Sequence, residues 1–137
     1  MHQVVARALD VIALESHEPE YTEAFNAVQA VVTEFGELDL ADRLFANIPE
    51  SIPSLLVAKL FDLLAWQTDD NGSAMTRTIE RWLAEGTNLR KVQIALNLDV
   101  YPFRDERQMY RVLSRVAEAH PQVAEKCQQL IRSRQNR

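Results

Sequence analysis

The chain has 137 residues, 47% of them apolar and 26% charged, which is the balance of one ordinary globular domain able to bury a core without a disulfide or metal staple. Its formal net charge of −5 is unevenly divided: residues 1–70 set thirteen acids against Arg7, Arg43 and Lys59, for −10, and residues 71–137 set seven acids against twelve bases, for +5. The single cysteine excludes an internal disulfide. No apolar run approaches the ~20 residues of a membrane span, and no basic, apolar leader follows Met1, so a cytoplasmic single domain over 1–137 is expected.

Nearly every segment reads as helix. Val4, Val5, Ala8, Leu9 and Ile12 recur at helical spacing and predict a helix over 3–14. Residues 16–20 break it, with Pro19 suited to a new helix start. Phe25, Val28, Val32 and Phe35 then form one apolar stripe, which Gly36 stops. Leu38, Leu40, Ala41, Leu44 and Phe45 predict a short helix ending before Asn47. Ser51, between Pro49 and Pro53, is the expected cap for a segment over 54–67 that is apolar almost all round, the pattern of a central helix.

Residues 69–73 form a tight connection, with Ser73 as the expected cap of the next helix. Met75, Ile79, Trp82 and Leu83 give that helix a stripe running to Gly86. Asn88 caps a segment bearing Leu89, Val92, Ala95 and Leu96, and residues 99–103 turn the chain again. Met109, Val112, Leu113 and Val116 mark a long helix to His120. Pro121 opens a last one with Val123, Cys127, Leu130 and Ile131, and residues 133–137 are expected to fray. The fold class is all-α: seven or eight short helices in a compact bundle or a small HEAT-like α-solenoid.

Chemistry-bearing patterns are sparse. The loop 69–72 resembles a calcium loop only superficially: with Gly72 sixth, the first ligand is Gln67 and the twelfth is Thr78, so the bidentate acid is missing. His2, His17 and His120 lack zinc spacing. His17 among Glu15, Glu18 and Glu20 reads as a solvated turn rather than a base with its orienting carboxylate. Gly36, Gly72 and Gly86 are isolated and make no phosphate cradle, and Cys127 falls at core spacing. Neither catalysis nor a metal or cofactor is expected.

Charge is more informative. Arg104, Arg107, Arg111 and Arg115 recur at three and four residues and predict one helical stripe, with Arg77 and Arg81 repeating the spacing earlier. Such a stripe can bind phosphate, pair with the acidic half, or be a solvated face; the net acidity argues against nucleic acid. On the acidic side, Glu15, Glu18, Glu20 and Glu23 cluster first, Glu34, Glu37, Asp39 and Asp42 second, and Asp69 and Asp70 third. Acids at helix starts partly answer the helix dipole. A half-chain at −10 also favours a basic partner, and the expected partner-binding residues are Glu15, Glu18, Glu20, Glu23, Asp69 and Asp70. Trp66 and Trp82 are expected in the core, with Tyr101, Pro102 and Phe103 as a hydrophobic lid on it, the alternative being an interface anchor.

Three stretches carry a resemblance: Trp66-Gln67-Thr68-Asp69-Asp70-Asn71-Gly72, Glu80-Arg81-Trp82-Leu83, and Ala95-Leu96-Asn97-Leu98-Asp99-Val100-Tyr101-Pro102-Phe103. Together, over roughly residues 45–103, they resemble the small all-helical immunity proteins of bacterial polymorphic toxin and contact-dependent growth inhibition systems. The resemblance implies a cytoplasmic, non-enzymatic antitoxin that binds one cognate toxin domain, most often a basic nuclease, by stoichiometric occlusion. It assigns no contact residues, and it implies core positions for Trp66, Trp82, Leu96 and Phe103. The alternatives are a helical-repeat adaptor for another protein and a nucleic-acid-binding regulator using the arginine stripe.

Overall fold

A computed structural model describes residues 1–14 and 22–136. Among them all regular structure is helical: α1 (Gln3–Leu14), α2 (Thr22–Phe35), α3 (Leu40–Asn47), α4 (Ser54–Ala65), α5 (Ser73–Glu85), α6 (Leu89–Leu96), α7 (Glu106–Ala119) and α8 (Ala124–Gln135), with a short 3-10 turn at Pro121–Val123 before α8. No helix among the described residues is long and apolar enough to cross a membrane. The chain divides into two compact units, Met1–Thr78 and Ile79–Arg137.

In the first unit α1 packs on α2 and α4, and α2 packs on α4. Val5, Ala8, Leu9 and Ile12 of α1 are buried at i, i+3, i+4 and i+7, and Ala24, Ala27, Val28 and Val31 of α2 repeat the spacing. The buried stripe of α2 is therefore displaced from the expected one. Alanines occupy two of its positions, while Phe25 is 37% exposed and Val32 and Phe35 are half-buried. Small side chains let neighbouring helix axes approach closely, which leaves no room for a phenyl ring between them. α4 buries Val57, Ala58, Leu60, Phe61 and Leu64 but turns Leu55 outward, so it has a free face despite its composition.

The caps also depart from expectation. Ser51 does not cap α4, whose preceding residue is Pro53. His2 serves α1 instead: its ring Nδ1 accepts from the Val4 amide at 3.1 Å, and its own amide donates to Asn47 Oδ1 at 3.0 Å. The same ring meets Phe35 edge-on at 5.4 Å between centroids, which ties the chain start to the end of α2.

In the second unit α7 packs on α8 and on the 3-10 turn. Trp82 and Leu83 of α5, four of the eight residues of α6, and Met109, Val112, Leu113 and Val116 of α7 fill the core. Asn88 caps α6 through the Lys91 amide, as its position implies. Asp105 caps α7 by accepting from Arg107 at 2.8 Å and Gln108 at 3.4 Å. Capping at Asp105 places Arg104 outside α7, so the four-arginine stripe is a three-arginine stripe of Arg107, Arg111 and Arg115.

Of the tail expected to fray at 133–137, residues 133–135 continue α8, and Arg137 lies outside the described residues. Tyr101 and Ser133 share a 2.5 Å hydroxyl hydrogen bond, and the Arg134 guanidinium sits 5.5 Å from the Tyr101 ring centre. Arg134 also donates to the carbonyls of Pro102, Phe103 and Arg104 at 3.2, 2.8 and 2.7 Å. These contacts close the lid expected at 101–103, where Pro102 and Phe103 are buried.

Candidate protein-docking surface

In the first unit two connections meet: the turn after α2 and the turn after α4. The Asp69 amide donates to Glu37 Oε1 at 2.9 Å, a bond spanning 32 residues of sequence. Two large apolar residues near these ends in sequence, Leu38 next to Glu37 and Trp66 three residues before Asp69, are exposed. Leu38 is 79% exposed and Trp66 is 77% exposed. Trp66 was expected in the core and is the clearest departure. Its backbone amide still bonds to the Leu63 carbonyl at 3.2 Å, but it caps the C-terminal end of α4, where the 3.6-residue periodicity no longer dictates a buried direction.

Acids neighbour these apolar groups in sequence. Asp39, Asp69 and Asp70 are exposed and Glu37 is half-buried. One cation lies among them. Arg43 donates to the carbonyls of Phe35 and Leu38, the latter at 3.3 Å, while stacking 5.4 Å from the Phe35 ring centre. Its position is set by the C-terminal carbonyls of α2, which a cation stabilises.

The expected site residues do not form one cluster. Glu15, Glu18 and Glu20, with His17, lie outside the described residues. Glu23 is exposed in the first turn of α2. Phe35, at the other end of that helix, is twelve residues on, roughly 18 Å at 1.5 Å per residue. Glu23 thus stands far from the Glu37–Asp69 junction. Asp69 belongs to the junction through its backbone.

Asp70 has a structural task that the expected Ser73 cap was meant to perform. Its Oδ1 accepts from the Gly72 amide at 3.0 Å and the Thr68 hydroxyl at 3.1 Å, and its Oδ2 accepts from the Ala74 amide at 3.0 Å. Ser73 instead donates its hydroxyl to the Asp70 carbonyl at 2.9 Å. The Ala74 amide, chiefly, holds the Asp70 carboxyl below its ordinary range against the opposing effect of desolvation, with Thr68, Gly72 and Ser73 each adding less.

Charge follows the structural division. Met1–Thr78 holds thirteen acids and four bases, for −9, and Ile79–Arg137 holds seven acids and eleven bases, for +4. In the second unit Arg107, Arg111 and Arg115 are exposed on α7. Arg81 lies 3.8 Å from Glu85 one turn on, and Lys91 stacks 5.4 Å from the Trp82 ring centre. His120 Nε2 meets the Gly86 carbonyl at 2.7 Å, fastening the end of α7 to the end of α5. Cys127 is fully buried, and burial pushes its thiol up to about 11. It fills the core position its spacing implied and is kept protonated, the opposite of an activated nucleophile.

No group of three His, Cys, Asp or Glu side chains is gathered for a metal ion among the described residues. Sequence reasoning missed Leu38 and Trp66 as surface groups, because apolar character in a helical pattern signals burial until the helix end is placed. Comparison with protein-family models finds no match to this chain, and comparison with curated proteins and with solved structures finds none either.

Proposed function

We propose that this chain is a protein-binding module whose acidic first unit docks on a basic protein domain. In keeping with the family it resembles, we assign it as a cytoplasmic immunity protein that neutralises a cognate toxin domain, a nuclease, by stoichiometric occlusion. The observation that carries this reading is the exposure of Trp66 at 77% and Leu38 at 79% beside Glu37, Asp39, Asp69 and Asp70. Large apolar groups in water gain by burial, and Trp is prominent among residues that dominate interface energies. The surrounding carboxylates add little static affinity, but they steer a basic partner and reject an acidic one.

The test is co-expression of the tagged chain with the toxin domain encoded beside it, followed by size-exclusion chromatography. A 1:1 complex with restored growth of the toxin-expressing cells is expected. Two folded proteins that elute apart would remove the assignment. The competing nucleic-acid reading draws on Arg107, Arg111 and Arg115, all exposed on α7 in a unit of net charge +4. It requires a steep loss of oligonucleotide affinity with added salt, which a protein-only binder does not show.

A further inference from the structure

α4 packs on α1 and α2 and buries Val57, Leu60, Phe61 and Leu64. Along its other face Leu55, Lys59, Asp62 and Trp66 follow one another at intervals of four, three and four residues. This is heptad spacing, which keeps the four positions on one line of the helix surface. Leu55 is 53% exposed and Trp66 77%, Lys59 is exposed and Asp62 is half-buried. Trp66 keeps the line although it follows the last residue of α4, because its backbone stays helical at φ −75° and ψ −16°. The seam is roughly 16 Å long at 1.5 Å per residue, about three turns.

The order of groups along the seam is self-complementary. Leu55 and Trp66 are equally distant from a midpoint between Leu60 and Phe61, and so are Lys59 and Asp62. Laid antiparallel on a copy of itself, the seam sets Leu55 against Trp66 of the second copy and Lys59 against Asp62 of the second copy. A twofold axis repeats both pairs. The parallel arrangement sets Lys59 on Lys59 and Asp62 on Asp62, which opposes like charges. A uniformly basic partner also meets Lys59 unfavourably at the middle of the seam. The antiparallel copy satisfies both charges and covers both apolar ends.

We infer that this face of α4 is a self-association surface, on which a second copy of the chain docks antiparallel about a twofold axis between Leu60 and Phe61. Leu55 and Trp66 supply the affinity through burial, and the Lys59–Asp62 pairs set direction and register. The dimer is weak. Four seam positions a side fall well short of the roughly 20–30 residues a side of a stable interface, and the two first units repel at −9 each. The inference goes beyond the proposed function and does not depend on it. The two surfaces share Trp66, so a partner seated on Trp66 displaces the second copy.

The test is sedimentation velocity of the full chain alone, from about ten micromolar to about one millimolar, in about 0.15 M salt so that net repulsion is screened. A reversible monomer–dimer equilibrium is expected. Leu55→Glu should weaken it at least about tenfold, and Leu38→Glu should leave it unchanged. Lys59→Asp and Asp62→Lys should each weaken the dimer alone and restore it when combined. Asp62→Lys makes the chain less acidic, so an association governed by net charge would strengthen instead. Circular dichroism reports whether each variant folds; Leu55→Glu, at an exposed position, carries the test if an Asp62 variant does not. A monomer at every concentration, a dimer indifferent to Leu55→Glu, or a folded double variant that dimerises no better than the single ones would each overturn the proposal. None of these outcomes bears on the toxin assignment, since no partner is present.

Discussion

Arg134 donates to the carbonyl of Phe103 at 2.8 Å, and Phe103 holds a left-handed backbone at φ +64°. A phenylalanine in that region is strained by about 1–2 kcal/mol. Three contacts over-determine it: the guanidinium on its carbonyl, the Glu80 carboxylate accepting from its amide at 2.7 Å, and burial of its ring. Arg134→Met keeps the aliphatic length and removes the donors to three carbonyls. A loss of about 2 kcal/mol in urea denaturation is expected, because hydrogen bonds from charged groups contribute more than neutral ones. A frayed tail would instead make this substitution silent.

Gly36 and Gly72 both hold positive φ, at +72° and +81°, yet they should not respond alike to a methyl group. Around Gly36 a Cβ meets nothing within 4 Å, whereas at Gly72 it would lie 2.7 Å from the Ala65 Cβ. Gly36→Ala is expected to cost only the left-handed penalty, about 1 kcal/mol. Gly72→Ala adds a clash at the end of α4 and should cost at least about twice as much. Parallel thermal melts of the two variants give the comparison directly.

Asp70 makes stability depend on pH in a predictable sense. Its folded carboxyl lies below the ordinary value of 3.8, led by the Ala74 amide. A lowered folded value favours the folded state above the unfolded value, and that contribution disappears as pH falls through the folded one. The stability difference between the wild type and Asp70→Asn should therefore be full and flat at neutral pH and shrink below 3.8. A difference that grew on acidification would contradict the capping role.

The helices were legible because their boundaries are written in local chemistry. Gly36 and Gly86 stop α2 and α5, Asn88 starts α6, and the spacing of Val5, Ala8, Leu9 and Ile12 declares the buried face of α1. What escaped depends on contacts distant in sequence. His2 finds Asn47, Glu37 finds the Asp69 amide, and Arg134 finds the turn after Tyr101. None of these pairings leaves a periodic trace. The stripe of α2 was misplaced for another reason: alanines at 24 and 27 carry weak apolar signal but decide how closely helices pack. The acidic character of the first unit was legible from charge alone. The exposure of Trp66 and Leu38 was not, because both stand where helical patterning ends.

Cys127 gives a check on the packing of the second unit. Its side chain is fully buried and its thiol is raised to about 11, so at pH 8 both access and thiolate are lacking. Iodoacetamide is expected to leave the folded chain unmodified and to react stoichiometrically in denaturing urea. Rapid labelling under native conditions would show that α8 opens from α7 readily, and the labelling rate would measure that opening.

Trp66 separates a docking role from a structural one. Its side chain is 77% exposed, so Trp66→Ala removes little buried contact and should change unfolding stability by no more than about 0.5 kcal/mol. At the centre of an interface the same truncation costs about 2 kcal/mol or more in binding, roughly thirtyfold in affinity. Neutralising Asp39 and Asp69 together should act differently, slowing association at low salt while leaving dissociation nearly unchanged. Surface plasmon resonance against the co-purified partner resolves the two rates. An affinity indifferent to Trp66→Ala, with the fold intact, would move the binding face away from the Glu37–Asp69 junction.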